Sequence, residues 1–276
     1  MKVAVIGAGL AGSEAALVLA RGGVAVDLYE MRPVVQTAAH ETGNAAELVC
    51  SNSFKTDMLP TAHGLLKAEL KMLESPLLAT AFEHRVPAGS ALAVDRETYA
   101  IAIEEILNNS PLITRINKEC SEPPTDADYT IIATGPLTSE KMTNWLQSEV
   151  SAEKLNFYDA IAPIIDADSI DMEKAYMASR WDKGTADYIN CPFTREEYDV
   201  WYNALLEADE VKARDFEKEE FFEACLPIEV VARRGYDTLR FGMMKPVGLI
   251  ILKLVLVTMR CVSCAKKTKM LRRTIW

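Results

Sequence analysis

Residues 1–30, MKVAVIGAGLAGSEAALVLARGGVAVDLYE, decide the fold. Lys2–Ile6 is a short apolar run of strand character, and Gly7-Ala8-Gly9-Leu10-Ala11-Gly12 follows it without a spacer. Ser13 to Arg21 reads as an alanine- and leucine-rich helix stopped at Gly22-Gly23, and Val24–Tyr29 is a second β-branched run that ends on Glu30. A G-x-G-x-x-G match carries meaning only in this strand–turn–helix–strand setting. The first glycine permits the tight turn, the second lets the backbone approach a pyrophosphate, and the third lets the helix pack close to the strand. Free N–H groups and the positive end of the helix dipole then face the phosphates. Glu30, eighteen residues beyond Gly12, is placed to accept a hydrogen bond from an adenosine ribose hydroxyl. An isolated glycine turn requires none of these flanking elements. Their joint presence predicts a dinucleotide site.

Working outward, 276 residues suffice for a large core and two domains. The apolar fraction of 49% and charged fraction of 25% are those of a globular protein. The N-terminus enters the first strand at once, so no signal peptide is expected. The apolar run Val247–Leu252 and Leu254–Met259 is broken by Lys253 and is too short to span a bilayer. Six cysteines without a dense pattern fit a reducing, cytoplasmic setting with free thiols. The net charge of −10 conceals an asymmetry: residues 251–276 carry seven Lys or Arg and no acid. That leaves 23 bases against 40 acids, a net −17, over residues 1–250. A surface so acidic does not favour nucleic acid, so any RNA contact needs a local basic patch.

Further along, His63–Glu74 has a helical stripe of Leu66, Leu70 and Leu73, ended by Ser75-Pro76. Val86–Val94 reads as turn then strand. Asp95 can cap a helix that turns Tyr99, Ile103, Ile106 and Leu107 inward, and Leu112–Ile116 is strand-like. Tyr129–Ala133 reads as a buried parallel strand that runs into Thr134-Gly135. Joined to the N-terminal glycine motif, that turn favours FAD over NAD as the resident nucleotide. Thr194-Arg195-Glu196-Glu197 is a capping box opening a helix with Tyr198, Trp201 and Leu205 inward, and Glu207–Glu223 reads as a solvated helical face.

Eight blocks taken in order identify a resemblance: GAGLAGSEAA, YEMRP, ELVCSNSFK, LAVDRETY, ATGPLTS, CPFTREEY, CLPIEVVARRG and LRFGMMKPVGL. Over residues 1 to about 250 the chain closely resembles the TrmFO family, folate- and FAD-dependent tRNA (uracil-5-)-methyltransferases that form 5-methyluridine at position 54 of the T-loop. The resemblance implies an α/β fold, a Rossmann-type FAD-binding domain over 1–160 with an inserted mixed α/β substrate domain over 161–250. It also implies 5,10-methylenetetrahydrofolate as carbon donor, NAD(P)H as reductant and the tRNA T-loop as partner, with no membrane. The expected cofactor-binding residues are Gly7, Ala8, Gly9, Leu10, Ala11, Gly12, Glu30, Arg32, Thr134 and Gly135. Uracil C5 becomes nucleophilic only after something adds to C6, and a thiolate is suited to that addition. The resemblance implicates Cys225 and Cys50. Cys225 is the expected nucleophile and Cys50 the flavin-side partner, although sequence alone does not assign the two roles.

Cys120 and Cys191 match no catalytic block and read as core. Arg233, Arg234, Arg240 and Lys245 form a local basic cluster, read either as a solvated face or as a phosphate or folate-tail contact. His40, His63 and His84 lack ligand spacing, and Cys261-Val262-Ser263-Cys264 is a C-x-x-C with no second pair, so no metal site is expected. Residues 251–276 match nothing in the family pattern. The expectation is a frameshift or truncated gene model near Ile250, and the alternative is a basic tail that touches RNA or an anionic surface. Two other functions stay in view: a flavin-dependent oxidoreductase acting on a small molecule, and an inactive FAD-domain fragment.

Overall fold

The computed structural model describes residues 1–37, 39–49, 51–149, 164–182, 184–208, 228–242, 244–245, 249, 257–262 and 272–274; for 164–167, 257–262 and 272–274 it describes the backbone alone. Cys50, Cys225 and Cys264, and the acidic stretch from residue 209 to 223, lie outside the described residues.

Strand β1 (Lys2–Ile6), helix α1 (Leu10–Arg21) and strand β2 (Ala25–Glu30) open the chain. The helix begins three residues earlier than its alanine-rich run suggests, so Gly9 is its N-cap. Gly22 is its C-cap, and Gly23 takes the turn at φ +80°. Strand β3 (Ser53–Thr56), helices α2 (Ala62–Met72) and α3 (Pro76–Glu83), strands β4 (Arg85–Val86) and β5 (Ala91–Val94), and helix α4 (Arg96–Asn108) follow. Strands β6 (Ile113–Asn117) and β7 (Tyr129–Ile132) complete a parallel sheet of order β6-β2-β1-β7. Val3 faces Val26 on one side and Tyr129 on the other, and Val26 faces Ile113. Of the two inner strands, β1 is a near-continuous buried apolar run, Val3 to Ile6, whereas β2 buries Val26, Leu28 and Glu30 in alternation. Leu28 and Val5 are fully buried between α1, α3 and α4, each contributing roughly 1.5–3 kcal/mol relative to exposure.

Three expectations are corrected here. Ser75-Pro76 does end one helix, but it also starts α3: Ser75 accepts a bond from Leu78 N–H, and Pro76 sits at the first helical position, where its missing N–H costs nothing. The leucine stripe of α2 does not face the core, for Leu66 and Leu73 are 53% and 69% exposed and only Leu70 packs inward. Gly64 sets that face. A Cβ there would stand 2.2 Å from Met58 O, so this side of the helix lies flat on backbone and the leucines turn away. In α4, Asp95 caps Thr98 N–H and Tyr99, Ile103 and Leu107 are buried as expected, whereas Ile106 is exposed.

Tyr129–Ile132 is likewise parallel to β1, but it is the outermost described strand of its sheet and not a buried one, with Tyr129 66% exposed. Among the described residues only β1 pairs with it.

Helix α5 (Glu140–Glu149) closes the first half. Strand β8 (Ile164–Asp166), β9 (Tyr176–Met177) and β10 (Tyr188–Phe193) lead to α6 (Arg195–Glu207), α7 (Ile228–Arg233) and α8 (Tyr236–Phe241). Strand β11 (Val257–Val262) pairs antiparallel with β10, and β12 (Arg272–Thr274) with β8. Thr194 and Glu197 form a complete capping box at α6. Tyr198 and Tyr202 are buried against Val231, Ala232 and Leu239, and Trp201 and Leu205 pack partly buried beside them. Burial, with the neighbouring tyrosines, pushes the Tyr198 phenol up to about 12. Asp187 accepts from Gly89 N–H at 2.7 Å, and Tyr188 donates to Ala88 O at 2.9 Å, which ties β10 to the β4–β5 turn. Among the described residues no helix is long and apolar enough to cross a membrane.

Candidate functional site

The glycine turn is locked by contacts that exclude any side chain at two of its three glycines. Gly7 lies at φ +98°, and a Cβ there would meet Ala133 O at 2.6 Å. At Gly12 a Cβ would meet Gly7 O at 1.8 Å, so the helix start rests directly on the strand end. Gly9 differs: a Cβ there would meet no protein atom within 4 Å, and the residue borders an open cleft. Ser13 N–H makes the first bond of α1, to Gly9 O at 2.9 Å. The N–H groups ahead of it have no intrahelical acceptor, so the turn presents donors and the positive helix end toward that cleft.

The cleft measures about 390 Å³ and lies at the carboxyl ends of the parallel strands. Chain order in the sheet reverses between β2 and β7 on either side of β1, and open α/β sheets bind ligands at such a switch point. Its walls come from the ends of all four strands: Gly7 and Gly9 after β1, Glu30 and Arg32 at β2, Cys120 after β6, and Thr134 after β7. Thr138 donates to Gly135 O at 2.6 Å and lies 2.7 Å from Thr134 Oγ1, which holds the β7 turn in place.

Glu30 is buried and accepts three protein hydrogen bonds: from Ala8 N–H at 3.0 Å on Oε2, and from Arg32 N–H and Nε at 3.1 and 3.0 Å on Oε1. Burial alone would push its carboxyl up; the Arg32 guanidinium and the two backbone donors outweigh it and hold the carboxyl below the usual range. A carboxylate has about four acceptor sites, so one remains on Oε2. Arg32 reaches on to Glu47 Oε2 at 3.1 Å and Thr42 O at 3.3 Å.

Of the residues singled out from sequence, Gly7, Gly9, Leu10, Ala11, Glu30, Arg32, Thr134 and Gly135 border this one cleft. Ala8 and Gly12 do not. Ala8 is fully buried with its N–H given to Glu30, and Gly12 is packed on Gly7. Cys120 is not core, as the sequence suggested, but half-buried at the cleft, where burial pushes its thiol up. The signal for it was its position, three residues beyond the third parallel strand.

His40 also borders the cleft. Thr37 Oγ1 accepts from Ala39 and His40 N–H at 3.3 and 3.1 Å, so its own proton goes to His40 Nδ1 at 2.7 Å and sets the neutral tautomer. Burial, and then Arg32, push that imidazole below its usual pKa. The T-x-x-H spacing was its only trace in the sequence.

Residues 2–263 match the glucose inhibited division protein A family. The chain is 55% identical over 249 residues to the methylenetetrahydrofolate--tRNA-(uracil-5-)-methyltransferase TrmFO of Anoxybacillus flavithermus, covering 90% of this chain and 57% of that protein. The enzyme of the same name from Sulfurihydrogenibium sp. is 54% identical over 250 residues, 91% of this chain and 57% of the relative. That of Bacillus subtilis is 55% identical over 247 residues, 90% and 56% respectively. The chain thus spans little more than half the length of these relatives. With the family match extending over nearly all of its residues, the chain belongs to the glucose inhibited division protein A family.

Proposed function

We propose that the chain is the FAD-binding and substrate-facing part of a methylenetetrahydrofolate-dependent tRNA (uracil-5-)-methyltransferase acting on the T-loop in the cytoplasm, with NAD(P)H as reductant. The observation that carries this reading is the identity to enzymes of that name across nine-tenths of the chain. The cleft supports its cofactor part. The open space at Gly9 suits a diphosphate, and the remaining acceptor site of Glu30 suits a ribose hydroxyl. When bound and reduced, FAD supplies the carrier for the one-carbon unit and the electrons that bring it to the methyl level. In this reading residues 1–160 hold the cofactor and 161–250 form an inserted substrate domain.

The protein's own chemistry is assigned to two thiols. The Cys225 thiolate adds to uracil C6; as the S–C6 bond forms, the C5=C6 electron pair moves toward O4 and C5 becomes nucleophilic. Once C5 has received its carbon, loss of the C5 proton restores the double bond and expels the thiolate. Cys50 assists that proton transfer or shields the cofactor.

The visible absorption of the purified chain, with and without added FAD, tests the first part. Flavin bands co-eluting with the protein are expected, and a colourless protein would reject the cofactor site. Methyl incorporation into tRNA from labelled methylenetetrahydrofolate with NADH or NADPH tests the second. It should vanish in Cys225→Ala; a flavin-loaded chain with no incorporation would reject the methyltransferase activity.

A further inference from the structure

Five groups form a closed circuit beneath the cleft. Ala8 N–H donates to Glu30, whose other oxygen accepts from Arg32 Nε. Arg32 Nη1 donates to Glu47, and Ala46, the residue before Glu47, returns its N–H to Ala8 O at 2.8 Å. Ala46 makes that return in the left-handed region, at φ +52°. Glu47 in turn gathers its own loop, accepting from Glu41 N–H at 2.8 Å and from Thr42 N–H and Oγ1 at 3.0 and 2.7 Å. From outside, Glu104 accepts from Ala45 N–H and Arg115 donates to Gly43 O. Arg32 is the centre: its side chain is 2% exposed, and among the described residues it is the cation paired with both the buried Glu30 and the partly buried Glu47.

We propose that Arg32 is a positioning residue for cofactor binding: it holds the Glu30 carboxylate ionised and aimed at the ribose, and through Glu47 it makes the 41–47 loop a fixed wall of the site. This rests on the dinucleotide reading above. Three of the five guanidinium N–H groups are engaged within the protein, Nε with Glu30 and Nη1 with Glu47 and Thr42 O, and the pH dependence of the deficit on its removal separates positioning through Glu30 from direct contact. Removing one partner from a buried charge cluster leaves the other uncompensated, and the carboxyl then takes a proton at higher pH. A protonated Glu30 is a poorer acceptor for a ribose hydroxyl. The loop that Arg32 holds leads, three residues after Glu47, to Cys50, so the same cation links the ribose end of the site to the segment entering the cysteine block.

The test is FAD affinity, read by flavin fluorescence quenching on the full chain at several values between about pH 6 and 8.5. Besides Glu30 and Arg32, the ionisable groups bordering this cleft include His40, Glu47, Lys118, Glu119 and the raised Cys120 thiol; of these an imidazole is the one that ordinarily titrates near neutral pH, and burial pushes this one down. Every variant is therefore made in a His40→Asn background as well. The parent should bind FAD with little pH dependence. Arg32→Met should bind about tenfold or more weakly, with the deficit growing as pH falls. Arg32→Lys should recover the charge and only part of the affinity, since an ammonium cannot fork to both carboxylates. Glu47→Gln should weaken binding without adding pH dependence.

If Arg32→Met fails to fold, the pair Arg32→Met with Glu30→Gln removes both charges together. It should recover the parent's far-UV circular dichroism and bind FAD weakly at all pH values. Arg32→Met binding like the parent, or a deficit that is flat with pH, overturns the proposal while leaving the dinucleotide site standing. A parent that binds no FAD at any pH overturns the dinucleotide reading and this proposal with it.

Discussion

Two glycine substitutions separate packing from ligand binding within one turn. In Gly12→Ala the new methyl would sit 1.8 Å from Gly7 O and 3.0 Å from Gly7 C, both backbone atoms of a turn already pressed on Ala133. Nothing there can rotate away, so β1 and α1 must part. The cost should reach the top of the usual over-packing range, about 3 kcal/mol. For a chain of this size that lowers the melting temperature by roughly 5–10 °C.

Gly9→Ala meets no atom, and its φ of −69° and ψ of −169° are open to alanine. Alanine is the poorer N-cap, but it also loses less chain entropy on folding; each effect is about 0.5–1 kcal/mol and they oppose one another. The melting temperature should therefore stay within about 3 °C of the parent. The methyl nevertheless enters the space proposed for the diphosphate. Losing one charge-assisted hydrogen bond there, about 1.5–3 kcal/mol, weakens FAD binding roughly 10–150-fold. Circular-dichroism melts of the FAD-free chains and flavin titration read the two effects independently. Wild-type FAD affinity in Gly9→Ala would refute the placement of the diphosphate, and wild-type melting in Gly12→Ala would refute the packing argument.

Three further outcomes are expected. Thr194→Ala removes the side-chain half of the α6 capping box, the bond from Glu197 N–H, and should cost about 1 kcal/mol, measured by urea denaturation. Tyr202→Phe removes the 2.8 Å bond to the Ala232 carbonyl, which keeps its second donor, Gly235 N–H at 3.1 Å. It should cost about 0.5–1.5 kcal/mol, and hydrogen exchange should quicken in α7 before it does in the parallel sheet. Because the folded Glu30 carboxyl lies below its unfolded value of 4.5, its contribution to stability is complete above about pH 4.5 and lost as the pH falls through the folded value. The urea midpoint should drop between about pH 5 and 3, and Glu30→Gln should flatten that part of the curve.

Local physics was legible along the chain wherever one residue's conformation or a contact within four residues carried the information. The apolar runs of β1 and β2, the glycines between them, and the caps Asp95 and Thr194 all act at that range, and the structure contains each of them. The parallel α/β arrangement followed, because two β-branched runs joined by one helix pack back on each other in only one way.

The judgements that failed concern which neighbour a face would meet. Leu66 and Leu73 have the period of a core stripe, yet Gly64 lies against the Met58 backbone and turns them outward. Tyr129–Ile132 has the composition of an inner strand, yet burial depends on what lies beside it, and among the described residues only β1 does.

The site divides along the same line. A glycine spacing and a terminal acid announce a phosphate turn and a ribose anchor, because those roles depend on backbone freedom and on charge. Arg32 and Glu47 are marked only by lying in the family blocks YEMRP and ELVCSNSFK, and His40 and Cys120 lie in no block and are ordinary in type. They become one cleft because parallel strands deliver their carboxyl ends to the same edge of the sheet, and because a buried guanidinium must find its carboxylates wherever the fold brings them.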